Sequence, residues 1–358
     1  DVKDSIMQIK PYVPGESKLT TDKPIRQLAA NEAPMGASPK AIEAAQDSVA
    51  QLNRYPEGGA VALREKIGER FGFPPEQLIC GAGSDEIIAL ICQAFTGEGG
   101  EVLYSQHGFL MYKISALAAG ATPVSAPESN LRMAVDSMIG AIAEHTRVVF
   151  VANPNNPTGS YSTLAELERL HAALPEDVLL VIDAAYSEYV DADDYDDGSS
   201  LVAKHRNVVM TRTFSKLFGL AALRIGWAYG SADVIDILNR VRGPFNVSVP
   251  AQAAATAALD DWDWAMDAKD LNNRLLPVVT QRIRGMGLTV YDSVGNFILI
   301  DFDDADRAAA ADTFLRGEGV IGRGVGGYGL PTCLRMTIGT EEDMDFVTEA
   351  LMRFIESE

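Results

Sequence analysis

TRTFSKLFGLAALRIGWAYG, residues 211–230, joins the end of one apolar, β-branched run to the start of another and sets one lysine, Lys216, between them. Asn207–Arg212 and Ile225–Tyr229 read as strands, because short β-branched runs bounded by glycine and hydroxyl residues suit a buried, pleated surface. Further runs upstream read alike: Leu78–Cys80, Glu101–Tyr104, Arg147–Val151 and Val178–Asp183. Helical patterns separate them, and strands alternating with helices predict a parallel sheet wrapped by helices, an α/β fold. Lys216 raises a chemical question, since burying an ammonium costs several kcal/mol or drives it to neutrality. A solvated turn lysine is one answer, and a neutral amine able to form a Schiff base with a carbonyl cofactor is the other.

Length and composition narrow the field. A chain of 358 residues with 47% hydrophobic composition buries a large core, and beyond roughly 250–300 residues a core divides. After Pro250 the alternation gives way to long helical patterns, then to strands near Leu288–Tyr291, Asn296–Phe302 and Leu334–Ile338. The expected organisation is an N-terminal arm (1–29), a large domain (30–249) and a small α+β domain (250–358). A formal charge of −20 argues against nucleic-acid and anionic-membrane partners. The longest apolar runs have strand length, below a membrane span. The opening residues DVKDSIMQIK show no apolar signal core, so a soluble, cytoplasmic protein is expected. Three cysteines and four scattered histidines have no metal-ligand spacing, and no metal is expected. The acidic run DADDYDDG, residues 191–198, reads as a solvated loop.

Three stretches besides the first carry chemistry. CGAGSDE (80–86) ends a strand and opens a helix whose free amides suit a phosphate, although Ser84 could simply cap that helix. ANPNNPTG (152–159) follows an apolar strand with a proline-restricted loop. VIDAAYSEY (181–189) ends a strand with Asp183 and, three residues on, Tyr186; the carboxyl end of a parallel strand is where open α/β sheets bind ligands.

In this order and spacing, CGAGSDE, ANPNNPTG, VIDAAYSEY and TFSKLFGLAALRIGW resemble the fold-type-I pyridoxal-phosphate aminotransferases. KPYVPGES (10–17), LAANEAPMGASP (28–39), NRYPEGG (53–59), GPFNVSVPAQ (243–252) and YGLPTCLRMTIGT (328–340) are similar to stretches of the histidinol-phosphate aminotransferases among them. The resemblance implies pyridoxal 5'-phosphate as cofactor, with Lys216 holding its aldehyde and moving a proton during turnover. It implies that Asp183 pairs with the ring nitrogen, that Asn156 and Tyr186 bind the ring hydroxyl oxygen, and that Phe109 stacks on the ring. Gly83, Ser84, Asp85, Thr213, Ser215 and Arg224 would hold the phosphate. Tyr55 would reach the phosphate of a neighbouring subunit, making a homodimer with a shared active site. Arg335 would bind the substrate anion, with Tyr12, Asn31, Asn246 and Arg323 as companions. The implied reaction is transamination of L-histidinol phosphate with 2-oxoglutarate in histidine biosynthesis. Aromatic amino acid transamination is the alternative, and phosphothreonine decarboxylation a further one. In RGVGGYGLP (323–331) the chain departs from the commoner family pattern, and the extra glycines predict a loop that is less ordered in advance.

Overall fold

A computed structural model describes residues 2–11, 19 and 21–358. Its centre is a seven-stranded sheet: β1 Leu78–Gly81, β2 Glu101–Ser105, β3 Thr122–Ala126, β4 Thr146–Ala152, β5 Leu179–Asp183, β6 Val208–Thr213 and β7 Gly226–Gly230. Across the sheet the order is β1-β7-β6-β5-β4-β2-β3. β5 (LLVID) is buried along its whole length, as is β6, because helices cover both faces. Neighbours are parallel except at β7, which runs antiparallel to both β6 and β1. The link from β6 to β7 contains one short 3-10 turn, Ala221–Leu223, and no crossover helix, so the chain reverses direction there.

The sequence reading locates six of these strands and misses β3. TPVSA alternates weakly and contains Pro123, which a ladder tolerates at a sheet edge, where β3 lies. Register matters more for the site. Ala152 lies opposite Asp183, Asp183 opposite Thr211, and Gly226 opposite both Thr213 and Gly81. The loops after β4, β5 and β6 and the turn after β1 therefore leave from one end of the sheet.

A second, antiparallel sheet comprises β8 Thr289–Val290, β9 Phe297–Asp301, β10 Arg323–Val325 and β11 Leu330–Thr337, in the order β8-β9-β11-β10. It has its own core of Ile298, Ile300, Met336, Val347 and Leu351. The packing does not divide at residue 250, where the pattern of the sequence changes. Helix α3, Val249–Asp260, buries Ala251, Ala254, Ala255 and Leu259 in the first core. The long helix α4, Trp262–Arg284, spans both: Ala265 and Ala268 join the first core, whereas Leu275, Val279 and Ile283 join the second. Small residues let α3 lie close to the helix Pro39–Ser48 without interrupting the helical pattern, so no composition break marks the change. The N-terminal arm also belongs partly to the second unit. Arg26–Gln27 pairs with Val320–Ile321 and Leu28 is buried in the second core, so the arm delivers residues 29–31 to the groove between the two.

Candidate active site

The carboxyl ends of the central strands and the face of β11 enclose a cavity of about 240 Å³. Its first end is built by the turn after β1. Helix α1, Ser84–Phe95, begins there with Asp85 and Glu86 in its first turn, and its opening amides point where an anion is favoured. The neighbouring strand approaches so closely that a Cβ on Gly226 would sit 2.5 Å from the Ser84 nitrogen. Arg224 reaches the same place, with Nη1 3.2 Å from Ser215 Oγ and Nη2 3.2 Å from Asp85 Oδ2. Thr213 Oγ1 accepts the Ser215 amide at 3.0 Å, fixing that turn. Hydroxyls, amides and a guanidinium thus converge on one end of the cavity, as anion recognition requires.

Two titratable groups stand in the middle. Asp183, at the last position of β5, is 5% exposed. Its carboxylate accepts from Tyr112 Oη at 2.7 Å and Thr211 Oγ1 at 3.2 Å. Among the described residues no ammonium, guanidinium or imidazolium makes a salt bridge with it. Burial pushes its carboxyl up to about 6, against the lowering effect of those hydrogen bonds. Lys216 faces the cavity and donates to the Ala30 carbonyl at 3.0 Å. Burial pushes its ammonium down to about 8, and the Arg335 charge pushes the same way, with Asp85 and Glu32 opposing. A buried carboxylate without a cation and an amine drawn towards neutrality both cost folding free energy. Their placement is the sign of a site.

The walls complete the shape. Phe109, at the start of helix α2 (Leu110–Ala119), lines the cavity and meets Tyr112 edge-on at 5.9 Å. Tyr186 is buried, which raises its phenol above the ordinary range and keeps it protonated, and it accepts from Asn31 Nδ2 at 2.9 Å. Lys216 Nζ lies 5.7 Å from the centre of the Tyr186 ring. Asn156, in the loop after β4, also lines the cavity, and its Oδ1 accepts from Arg335 Nη1.

At the second end, Arg323 of β10 lies directly opposite Arg335 of β11, so both side chains stand on one face of the small sheet. Both line the cavity. Arg335 is 6% exposed, and its other terminal nitrogen donates to the Ala29 carbonyl.

Not every expected residue is here. Asn246 lies outside the cavity: its amide donates to Glu86 Oε2 at 2.7 Å and Cys80 O at 3.3 Å, and its oxygen accepts from Arg242. It braces the α1 turn through Glu86, whose same carboxylate oxygen also accepts the Ala82 amide. Tyr55 is 81% exposed and stacks on Phe245 at 4.6 Å, outside the cavity of its own chain. Tyr12 lies outside the described residues. The glycine-rich 323–331 loop, expected to be less ordered in advance, holds a hydrogen-bonded turn, Gly326–Tyr328, and Tyr328 is buried and lines the cavity. The acidic 191–198 run is not simply solvated. Asp197 pairs with the buried Arg212 at 2.9 Å, alongside Glu188, and Asp191 pairs with Lys269.

Sequence reasoning missed Tyr112, Thr211, Tyr328 and the Ala30 carbonyl. For two of them a signal existed. Tyr112 follows Phe109 by three residues, one helical turn, and Thr211 sits two residues before Thr213, on the same face of its strand.

Comparison with known proteins agrees with this geometry. The family model for aminotransferase class I and II matches residues 23–351. A histidinol-phosphate aminotransferase of Rhodospirillum centenum is 53% identical over 97% of this chain and 96% of its own. One from Paramagnetospirillum magneticum is 51% identical over 98% and 97%. Among solved structures, the histidinol-phosphate aminotransferase from Sinorhizobium meliloti, in complex with pyridoxal-5'-phosphate, superposes with a TM-score of 0.90 at 27% identity, covering 98% of this chain and 97% of that one. A strand-end cavity with a buried carboxylate, a desolvated lysine and an arginine at each end, on a chain matched over nearly its full length, belongs to the class I and II aminotransferases.

Proposed function

We propose that this chain is a pyridoxal-phosphate-dependent aminotransferase that transfers the amino group of L-histidinol phosphate to 2-oxoglutarate, in histidine biosynthesis. One observation carries the reading: a single cavity has cationic recognition at both ends, Arg224 with the α1 amides at one and Arg323 with Arg335 at the other, and Lys216 between them. One end suits the cofactor's phosphate, and the other the anion of the substrate. The names of the relatives at 51–53% identity support the choice of histidinol phosphate.

The residues present fit the cofactor. Asp183 is a buried carboxylate with two neutral donors, and a protonated ring nitrogen would supply the missing countercharge. Gly83, Ser84, Asp85, Thr213, Ser215 and Arg224 would hold the phosphate, and Phe109 would cover the ring face. Asn156 through its Nδ2 and Tyr186 through its hydroxyl would donate to the ring oxygen, while Asn156 Oδ1 stays turned to Arg335, which fixes which way the amide faces. When bound, the cofactor supplies an electron sink that acidifies the carbon bearing the donor's amino group. Lys216 Nζ would anchor the cofactor and, once the donor's amine has displaced it and freed its lone pair, would take the proton from that carbon and return it on the other side of the exchange. A pKa of about 8 leaves a useful fraction of free amine near neutral pH. Asp183 keeps its charge against the ring nitrogen throughout. Arg335, with Arg323 and Asn31, holds the substrate anion, a phosphate in one half of the cycle and a carboxylate in the other.

The exposed Tyr55 and Phe245 pair supports a homodimer in which Tyr55 reaches the neighbouring subunit's phosphate site. Three buried free thiols, Cys80, Cys92 and Cys333, support a reducing compartment, the cytoplasm. No helix of the described residues is long and apolar enough to cross a membrane. The test is a half-reaction panel: amino donors are added singly to the cofactor-loaded protein and conversion to the amine form is followed by absorbance. Histidinol phosphate converts it fully at low concentration. Conversion by an aromatic amino acid but not by histidinol phosphate would assign the enzyme to aromatic amino acids instead.

A further inference from the structure

His107 has no part in the chemistry above, yet it is buried where the two cores meet. Its backbone is held on both sides. The N–H donates to Glu128 Oε1 at 3.0 Å, the oxygen that also takes the Ser105 hydroxyl at 2.6 Å, and the carbonyl accepts from Asn155 Nδ2 at 3.1 Å. The ring is then aimed across the cleft, with Nδ1 2.6 Å from the Tyr328 carbonyl. A carbonyl only accepts, so Nδ1 carries the proton. Tyr328 closes the Gly326–Tyr328 turn between β10 and β11 and lines the cavity with Arg323 and Arg335. It packs in a small apolar cluster with Leu299, Val325 and Leu330, against which Leu110 and Leu131 of the first unit also rest. The turn is built close to the imidazole: Gly329 has φ +79°, and a Cβ there would lie 3.5 Å from His107 Cε1.

We propose that His107 is a positioning residue that latches the 323–331 loop across the cleft, making Tyr328 the wall that selects donors carrying a flat ring. The proposal rests on the aminotransferase reading of the cavity. Four glycines, Gly324, Gly326, Gly327 and Gly329, lie between Arg323 and Leu330, so this segment has little intrinsic order. A single ring-to-carbonyl hydrogen bond from a rigidly held histidine, together with the Tyr328 packing, removes that freedom. Arg323 lies on the same segment, and the latch therefore orders one of the two anion-binding guanidiniums along with the wall. Because it acts on substrate binding before and during the reaction alike, its loss appears in KM and not in kcat.

The test uses the cofactor-loaded protein and two readouts. The first is the rate of tryptic cleavage after Arg323 without substrate, and the second is the steady-state kinetics with whichever donor the half-reaction panel identifies. His107→Leu keeps bulk and loses the donor; it is expected to speed cleavage after Arg323 and raise KM, each by about tenfold, with kcat within about twofold. His107→Asn, whose Nδ2 stands where the ring Nδ1 does and so retains the N–H donor, stays near wild type in both. Gly329→Ala strains the turn at its φ of +79°, perturbing the latch from the Tyr328 side, and moves both readouts in the direction of His107→Leu, which keeps the test valid if that variant folds poorly. Tyr328→Leu lowers the preference for histidinol phosphate over an acyclic amino-alkyl phosphate by about tenfold or more. Unchanged cleavage and KM in His107→Leu and Gly329→Ala would overturn the latch, as would a His107→Asn variant as impaired as His107→Leu. Altered cleavage with unaltered KM would overturn its role in substrate binding. Because cleavage is read without any donor, a failure of the histidinol-phosphate assignment leaves that arm intact and is recognised separately.

Discussion

Lys216 and Asp183 are each held in surroundings that disfavour their ordinary charged forms. The Asp183 carboxyl titrates at about 6 in the folded chain, against an ordinary 3.8. Between those values the folded state binds more protons than the unfolded one, so stability falls as pH rises from about 4 to about 6, and the full cost stands above that. For Lys216 the folded value of about 8 lies below the ordinary 10.5, so its cost is complete below pH 8 and is relieved as pH climbs towards 10.5. Asp183→Asn is therefore expected to stabilise the cofactor-free protein at pH 7 by up to about 3 kcal/mol, a gain that disappears near pH 4. Thermal melts across that range measure it, and a uniform loss of stability would refute the account. The same variant should lose catalysis far more than cofactor retention, since it keeps the shape and removes the charge. In the cofactor-free wild type, labelling of Lys216 by a small acylating reagent should rise with a midpoint near pH 8. A midpoint near 10.5 would show an ordinary solvated lysine.

Among the secondary-structure elements, the anion end of the cavity depends on how closely β7 passes the start of α1. Gly226→Ala forces the Ser84 amide to move, because the new methyl would lie 2.5 Å from that nitrogen. The expected result is a weakening of cofactor binding by about tenfold or more, measured by equilibrium dialysis, without loss of the fold. Undiminished affinity would detach the α1 amides from phosphate binding. The elements were the most legible part of the sequence. β5 is a continuous apolar run, and Asp183, which ends it, stood out because a polar side chain interrupts the run; β6 opens on Val208–Met210 and closes on the polar Thr211, Arg212 and Thr213, which lead directly into the lysine turn. The reversal of β7 was not legible, since nothing in residues 214–225 marks the want of a crossover helix except its shortness. Tyr112 was concealed by its type: a tyrosine in an apolar helix reads as core, and the hydroxyl's partner lies 71 positions away. Asn246 stands outside the cavity, on Glu86 and Cys80, because a motif fixes a residue's sequence position and not the neighbours its side chain meets.

Over the whole molecule, the cavity exists because two cores are linked by α4 and by the arm at residues 26–31. Neither link shows as a composition break, and the division between the cores consequently falls inside a helix and not at a linker. The exposed Tyr55 carries the prediction beyond a single chain. Mixing Tyr55→Phe with Lys216→Ala should give hybrid dimers in which one site has both wild-type residues, so activity returns on mixing; no recovery in verified hybrids would refute the shared site. The central claim, that the cavity reads an anion at each end and that the substrate's anion is a phosphate, is tested most directly by specificity constants with 2-oxoglutarate as acceptor. Histidinol phosphate, histidinol, phenylalanine and tyrosine are compared on the same preparation. Charge-assisted hydrogen bonds contribute roughly 1.5–3 kcal/mol each, so histidinol should fall below histidinol phosphate by about 10–10² for each hydrogen bond that Arg335 and Arg323 no longer make to the phosphate. Equal constants for histidinol and histidinol phosphate, or a clear preference for phenylalanine or tyrosine, would contradict it.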